Sequence, residues 1–161
     1  MSDATKWSDF ENMIQMLVRD ALNELGDMVN EMVKKQIDED VYVNTPEVYD
    51  RTYQFRESYQ SVDVTKEANN PEIFVRSNKN KMESRPEVFQ HGSHYWRKGS
   101  DVTDYLPEIL AFNLSGDFFG SNQWWHNRDS YFYNVLDKLK AGGWLNKTFK
   151  QLLRKRGLKV V

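Results

Sequence analysis

Three histidines are the residues whose types and spacing first suggest chemistry. His91 and His94 stand three apart in "HGSHYW", and two imidazoles at that spacing can share a metal ion on one face of a helix. Gly92 lies between them and no acidic cluster accompanies them, so a loop or interface role fits the pair better. His126 follows two tryptophans, and its spacing reveals no serine or carboxylate partner of a catalytic triad.

Glycine and cysteine usage narrows the chemistry further. Gly116 and Gly120 occur in "SGDFFG", which lacks the lysine and the preceding strand of a phosphate-binding loop. The chain has no cysteine, which removes disulfides, thiol nucleophiles and thiolate metal ligands. The sequence therefore predicts no catalytic residue, no metal site and no cofactor. A hydrolase built on the three histidines with a nearby acid remains as an alternative.

Positive charge concentrates near the carboxyl end, in "NKTFKQLLRKRGLK". Its cations can neutralise phosphates, and they are equally typical of a solvated helix face. Over the whole chain, 22 Lys and Arg face 24 Asp and Glu for a net charge of -2, so no global field draws it to nucleic acid. A small nucleic-acid-binding module is therefore a second alternative. It would use Lys147, Lys150, Arg154, Lys155, Arg156 and Lys159.

Residues 8 to 38 form the clearest element that could position functional groups. Apolar residues recur there with the spacing of one helical stripe. Ser8 with Glu11 three residues later predicts a capping box, and Lys34 and Lys35 near the other end suit the helix dipole. The pattern predicts a long amphipathic helix.

This helix would be longer than the domain that contains it. About 30 residues at about 1.5 Å each span roughly 45 Å, whereas a domain of this size has a radius of gyration of about 15 Å. Part of the stripe must therefore leave the core or be covered by a neighbour, unless Gly26 bends the helix. Met28 and Met32 are accordingly predicted interface residues.

The next segment predicts a turn, a short helix and a hairpin. Pro46 ends any helix before it, and Asp50 or Thr52 is expected to cap a short helix that continues through Phe55 and Tyr59. A β-hairpin over about residues 61–78 follows from the alternation of apolar and polar residues around "NNP".

The rest of the chain predicts a loop or contact arm over residues 79–104 and helices over 105–156. One helix starts at Asp129 or Ser130 and ends at the Gly142–Gly143 pair, and the last one ends at Gly157. The predicted inward face of the helix that starts at Asp129 or Ser130 consists of Phe132, Val135, Leu136 and Leu139. The fold class is α+β, in a single domain of residues 1–161.

Composition favours contact surfaces. Aromatic residues make up 14% of the chain while the mean hydropathy is only -0.77, and aromatic side chains are favoured at protein interfaces. Trp96, Trp124 and Trp125 are therefore further interface candidates. No apolar run approaches the roughly 20 residues of a membrane span, and no signal region is apparent, so we expect a protein made in a cytoplasm without membrane contact.

A short motif carries a family resemblance. "TPEVYDRTYQFRESY" fits a pattern of proline, tyrosine, Arg-Thr, a large apolar residue and serine, supplied by Pro46, Tyr49, Arg51, Thr52, Phe55 and Ser58. With the preceding helix and the following hairpin, residues 8 to 78 resemble minor structural proteins of long-tailed bacteriophages. Those proteins complete the tail or join it to the head. The resemblance implies a ring-forming subunit without enzymatic activity.

The motif residues themselves predict a structural corner. Arg51 can fork to a carboxylate or to carbonyls while Thr52 caps the next helix, which would fix the passage from helix to sheet. A solvent-exposed arginine beside a helix cap predicts the same local geometry.

The leading hypothesis is a non-enzymatic virion protein at the neck or tail. Copies would assemble as a ring, a hexamer or similar, between the connector or neck proteins and the tail tube, after synthesis in the host cytoplasm. Contact with DNA in the channel is left open.

Overall fold

A computed structural model describes residues 3–42, 53–67, 69–82, 90–91, 94–95 and 130–160. The helices are α1 (Asp3–Asp40), α2 (Gln54–Ser58), α3 (Tyr131–Lys140) and α4 (Trp144–Lys155), and the strands are β1 (Tyr59–Asp63), β2 (Ile73–Ser77), β3 (Gln90–His91) and β4 (His94–Tyr95). The fold class is α+β, as the sequence predicts.

The chain divides into two compact units. The first comprises Met1–Val33, Gln60–Arg76 and Val135–Val161, and the second comprises Lys34–Tyr59 and Ser77–Asn134. The single-domain expectation stays a prediction.

Helix α1 confirms the long amphipathic helix but corrects its ends. It begins at Asp3, so Ser8 lies inside the helix and the predicted capping box is wrong, because the residues before Ser8 also adopt helical conformation. The helix ends at Asp40, and its last turn contains no basic residue. Lys34 and Lys35 therefore lie too early to complement the carboxyl-terminal end of the dipole.

Gly26 does not bend α1; it allows the hairpin to approach the helix closely. The helix is continuous through this residue, which is buried. A Cβ atom placed on Gly26 would lie 2.5 Å from Ile73 Cγ2 and 2.5 Å from Ser61 Oγ. The absence of a side chain at this position is thus what lets β1 and β2 pack onto the helix backbone.

Strands β1 and β2 form the predicted hairpin as a two-stranded sheet. The Val64 amide donates to the Glu72 carbonyl at 2.9 Å and the Asn78 amide donates to the Ser58 carbonyl at 2.8 Å, which extends the pairing beyond both strand ends. Beyond the strands, Glu67 and Asn70 form an isolated antiparallel bridge. The hairpin prediction is confirmed, with the first strand starting at Tyr59 instead of near residue 61.

Helix α4 provides the core of the first unit by packing on the middle of α1. Ala21 and Leu25 of α1 cluster with Leu152 and Leu153 of α4. Partly buried apolar side chains surround this cluster: Val18, Leu22, Trp144, Phe149, Leu158 and Val160. Gly157, at φ +85°, ends the last helix as the sequence predicts.

Three aromatic rings form a centre of the second unit. Phe55, Tyr59 and Tyr131 pack edge to face with centroid separations of 5.7, 5.8 and 6.2 Å. The hydroxyl groups of Tyr59 and Tyr131 are hydrogen-bonded at 2.6 Å. Tyr131 is almost fully buried, whereas Phe132, predicted on the inward face of this helix, is exposed. The helix begins at Tyr131 and not at Asp129 or Ser130. Tyr131 stands four residues before the buried Val135 and therefore shares its inward face.

The short helix after α1 also differs from its prediction. It spans Gln54–Ser58 and ends before Tyr59, which starts β1. Its N-cap is Tyr53, at φ 55°, without a side-chain capping bond, so the prediction of Asp50 or Thr52 as cap is wrong. A left-handed tyrosine is an unusual helix start.

The segment predicted as a loop over 79–104 contains some regular structure. Lys79–Lys81 form a 3-10 turn, and β3 pairs with β4 in antiparallel register, with His91 opposite His94. The predicted helix between 105 and 129 lies outside the described residues.

We predict that Gly26→Ala destabilises the protein although alanine is the better helix former. The added methyl meets Ile73 Cγ2 near the β2 backbone, and overpacking of this kind costs about 1–3 kcal/mol. Urea unfolding monitored by circular dichroism measures the free energy of unfolding. The double variant Gly26→Ala/Ile73→Ala should lose less stability than the two single variants together. Stabilisation by Gly26→Ala alone would contradict the close approach.

We predict that Tyr131→Phe lowers the free energy of unfolding by about 1 kcal/mol, because it removes one buried hydrogen bond and leaves the Tyr59 hydroxyl without this partner. The matched control is Tyr53→Phe, which keeps the ring of a tyrosine that is 42% exposed and should stay within about 0.5 kcal/mol of the wild type. Equal effects of the two variants would argue against the aromatic centre.

Candidate assembly interface

The amino-terminal turns of α1 expose large apolar side chains. Trp7 is 63% exposed, Phe10 48%, Met13 48% and Met16 67%. Trp7 is held in place, since its Nε1–H donates to Glu11 at 2.9 Å and its ring lies 5.8 Å from that of Phe10. These four side chains follow one another at spacings of three residues, in a row that winds about half-way around the helix. Together with the carboxylates of Asp9 and Asp20, which lie on the side of Met13 and Met16, they are called the outer face of α1 below.

The first turns of α1 are exposed because the contact between α4 and α1 begins only near Val18 and Ala21. The buried cluster of the first unit begins at Ala21, with Val18 packed against it. Residues 3–17 of α1 precede this cluster and extend for roughly 22 Å at about 1.5 Å per residue. The side of the helix that carries Trp7 and Phe10 therefore continues past the core that covers its middle. Met16 lies on the opposite side of the helix from Ala21 and Leu25.

Two carboxylates share the outer face with the methionines. Asp9, Met13, Met16 and Asp20 follow one another at spacings of four, three and four residues, which places them on one side of the helix. All four are exposed. In the described part of the chain, the Asp9 and Asp20 carboxylates have no hydrogen-bond or ion-pair partner. The face therefore combines apolar contact area with negative charge.

Ion pairs tie α4 to α1 beside this face. Glu24 accepts from Arg156 at 2.7 Å and from Lys155 at 3.0 Å. These hydrogen bonds, that of Arg156 first, lower the pKa of the Glu24 carboxyl. Arg156 also donates to the Asp20 backbone carbonyl at 3.0 Å, so two of the predicted phosphate-binding cations contribute to the fold.

The described part of α4 still presents a basic outward side. Lys147, Lys150 and Arg154 follow at spacings of three and four residues, on the side away from Leu152 and Leu153. Arg154 also donates to the Val160 carbonyl at 3.0 Å. Nucleic-acid binding by this helix stays a prediction, with fewer cations available than the sequence suggests.

A second ion pair fixes the hairpin to α1. Arg19 forms a salt bridge with Asp63 at the end of β1, and the Thr65 amide donates to the same carboxylate at 2.9 Å. Hydrogen bonds from Thr65 and then Arg19 lower the pKa of Asp63 to about 2. The outer face thus belongs to a helix that is held on both sides.

The predicted corner is only partly within the described residues. Pro46, Tyr49, Arg51 and Thr52 lie outside them. Phe55 and Ser58 are buried, and the Ser58 hydroxyl donates to the Phe55 carbonyl at 2.6 Å and contacts Ser77 Oγ at 2.8 Å. The corner assignment stays a prediction.

Arg56 makes the kind of contact that the sequence assigned to Arg51. Its Nη1 lies 3.1 and 3.0 Å from the two carboxylate oxygens of Asp38. Its guanidinium also lies 5.0 Å from the Tyr53 ring centroid. The hydrogen bond with Asp38, ahead of that with Glu57, raises the pKa of Arg56. Sequence reasoning missed Arg56, because its partner is 18 residues away and no local pattern links the two.

The remaining predicted positions divide between described and undescribed residues. Met28 is exposed and Met32 is partly buried, both on α1. Trp96, Trp124, Trp125 and His126 lie outside the described residues. His91 and His94 are backbone partners across the β3–β4 pair, and the interface assignments stay predictions.

Within the described residues, no helix is both long and apolar enough to span a membrane. In that same part of the chain, no group of three or more His, Asp or Glu is placed to hold a metal ion.

The fold and the exposed surface define the class of protein: an α+β protein whose long helix carries an exposed apolar and acidic face. The chain belongs to the YomN family, whose family model matches residues 6–155. The family is phage-associated, so the protein is phage-related, in agreement with the resemblance of its motif. No curated protein and no solved structure matches the chain.

We predict that Asp63→Asn flattens the acid limb of the stability profile. The folded pKa of Asp63, about 2, lies below its ordinary value of 3.8. Its contribution is therefore present above about pH 4 and is lost as the pH falls toward 2. Thermal unfolding between pH 2 and 6 measures this loss. Asp27→Asn, an exposed change on α1, is the control, and an equal flattening in both variants would contradict the assignment to Asp63.

Proposed function

We propose that the protein is a non-enzymatic structural component of a phage virion, a tail-completion or head–tail joining subunit. Copies assemble as a ring, a hexamer or similar, at the neck or upper tail. There they contact connector or neck proteins on one side and tail-tube proteins on the other. The protein is made in the host cytoplasm and ends in the particle.

The outer face of α1 is the observation that carries this proposal. A Trp or Phe side chain buries about 150–250 Å² when fully covered, so at their exposed fractions the Trp7 and Phe10 rings leave about 200 Å² uncovered. Met13 and Met16 extend this area along the helix. The largest contiguous apolar patch of a protein, often a few hundred Å² in area, is frequently a functional surface.

Methionine and aromatic side chains suit this role. Methionine is unbranched and polarisable, so it adapts to the shape of a partner. Tryptophan and phenylalanine supply a large contact area with few rotatable bonds. Such a surface serves association better than turnover of a small substrate.

The polar residues of the described part support the same reading. The pKa values of Glu24, Arg56 and Asp63 shift, and each of these groups holds two elements of one unit together. Their charges serve the fold. The phage-associated family and the motif resemblance over residues 8–78 favour a virion role for a protein built in this way.

The decisive experiment uses a phage or prophage that encodes the protein. Disrupting its gene should leave filled heads and separate tails in electron micrographs, and complementation in trans should restore joined particles. Mass spectrometry of purified wild-type particles should detect several copies per particle. Normal infectious particles without the protein would overturn the proposal.

We predict that Trp7→Ser/Phe10→Ser weakens self-association roughly tenfold or more, because it removes the aromatic contact area of the outer face. The free energy of unfolding should change by no more than about 0.5 kcal/mol per site, since both side chains are exposed. Sedimentation velocity over a concentration series measures the association. Phe74→Ser, a change of a half-exposed ring on β2, is the control and should leave association unchanged.

A further inference from the structure

We propose that one side of the outer face of α1, formed by Asp9, Met13, Met16 and Asp20, docks on the basic side of α4 in a second copy of the chain, head to tail. This inference rests on the proposed function, because it names the surface that receives the outer face when copies assemble. Both surfaces belong to the first compact unit.

The receiving surface is a continuous basic stripe. Lys147, Lys150 and Arg154 lie on one side of α4, and residues 144–161 contain no acidic residue. Within the described residues, the Lys147 ammonium has no hydrogen-bond or ion-pair partner. The alkyl stems of these cations can cover apolar side chains while their charged ends remain in water.

The outer face of α1 carries the opposite charge, from Asp9 and Asp20. Asp9 and Asp20 are about 16 Å apart along α1, and Lys147 and Arg154 are about 10 Å apart along α4, from the rise of about 1.5 Å per residue. The length and flexibility of Lys and Arg side chains allow both carboxylates to be reached across a helix pair. The methionines between the carboxylates would then pack against the stems of the cations.

Charge also decides against pairing of two α1 helices. In an antiparallel pair centred between Met13 and Met16, Asp9 of one copy would approach Asp20 of the other. In a parallel pair, each aspartate would approach its own counterpart. Both arrangements place like charges together over an apolar seam, which disfavours them.

A lipid surface fits the outer face poorly. Interfacial membrane helices carry Lys and Arg on their polar side. Over residues 3–20, four carboxylates stand against two cations. Phospholipid membranes with negative charge would therefore repel this segment.

The predicted contact explains how a ring can form. The two surfaces differ, so the contact is heterologous and each copy carries one surface of each kind for contact with the next copy. Heterologous contacts close into rings when the rotation between copies permits it.

Charge reversal tests the pairing. Asp9→Lys/Asp20→Lys and Lys147→Glu/Arg154→Glu should each weaken self-association roughly tenfold or more at low salt, because like charges then meet across the contact. An equimolar mixture of the two variants should assemble again, with copies alternating. The quadruple variant, reversed on both surfaces, should also assemble. Sedimentation velocity in about 50 mM salt, where exposed charges are weakly screened, provides the measurement.

Matched controls separate the pairing from a change of net charge. Glu67→Lys/Asp137→Lys and Lys66→Glu/Lys140→Glu change the net charge by the same amounts at exposed residues that belong to neither surface, and they should assemble as the wild type does. Thermal unfolding of every variant confirms the fold. If Asp9→Lys/Asp20→Lys instead assembles more tightly with the wild-type protein than with Lys147→Glu/Arg154→Glu, the outer faces pair with each other and the proposal fails. Unchanged association of both reversed variants overturns it as well.

The particle experiment distinguishes this failure from failure of the proposed function. If joining of heads and tails requires the protein but proceeds normally with either charge-reversed variant, the virion role stands and the α1–α4 contact fails. The opposite result has two parts: the mixture of the two reversed variants associates again, and particles form normally without the protein. That result would keep the α1–α4 contact and remove the virion role.

Discussion

The close packing of a hairpin and a helix against a single long rod is the constraint on which the described structure depends. Gly26 allows β1 and β2 to reach the backbone of α1, while α4 covers the next faces at Ala21 and Leu25. These contacts occupy only the middle of the helix in the first unit. The turns before Val18 therefore remain outside the core, and their apolar side chains are left for other contacts.

Ion pairs at the rim orient elements that apolar packing brings together. Glu24 joins α4 to α1, and Arg19 with Asp63 joins the hairpin to α1. Exposed pairs of this kind contribute little free energy singly, but they specify which face of each element turns inward. In the second unit, the forked contact of Arg56 with Asp38 does the same for α2.

Much of the fold could be predicted from local patterns. The stripe of α1 and the alternation around "NNP" gave correct element types, because their periodicity spans many residues. The ends were less predictable: Ser8 has the residues of a capping box but lies within a helix that starts earlier. Gly26 looked like a bend, and only the approach of Ile73 and Ser61 shows why a residue without a side chain stands there.

The candidate site shows the same division. The excess length of α1 over the domain could be predicted from the sequence, because it requires only the number of helical residues and the rise per residue. The identity of the anchoring charges was not, since Arg56 with Asp38 and Arg156 with Glu24 are pairs between distant segments. Phe132 fits an inward stripe at a spacing of three from Val135, but Tyr131, at a spacing of four, is the residue that the structure buries.

Tyr53 shows how the start of α2 limits substitution. Its left-handed backbone would suit glycine or asparagine, yet its ring packs edge-on against Tyr42 at 5.1 Å and lies under the Arg56 guanidinium. Glycine or asparagine at this position would relieve the backbone strain but lose the ring contacts. An aromatic residue would keep the ring contacts but must adopt the positive φ. The start of α2 is therefore a compromise between two requirements, a relaxed backbone and a packed ring, that no side chain satisfies completely.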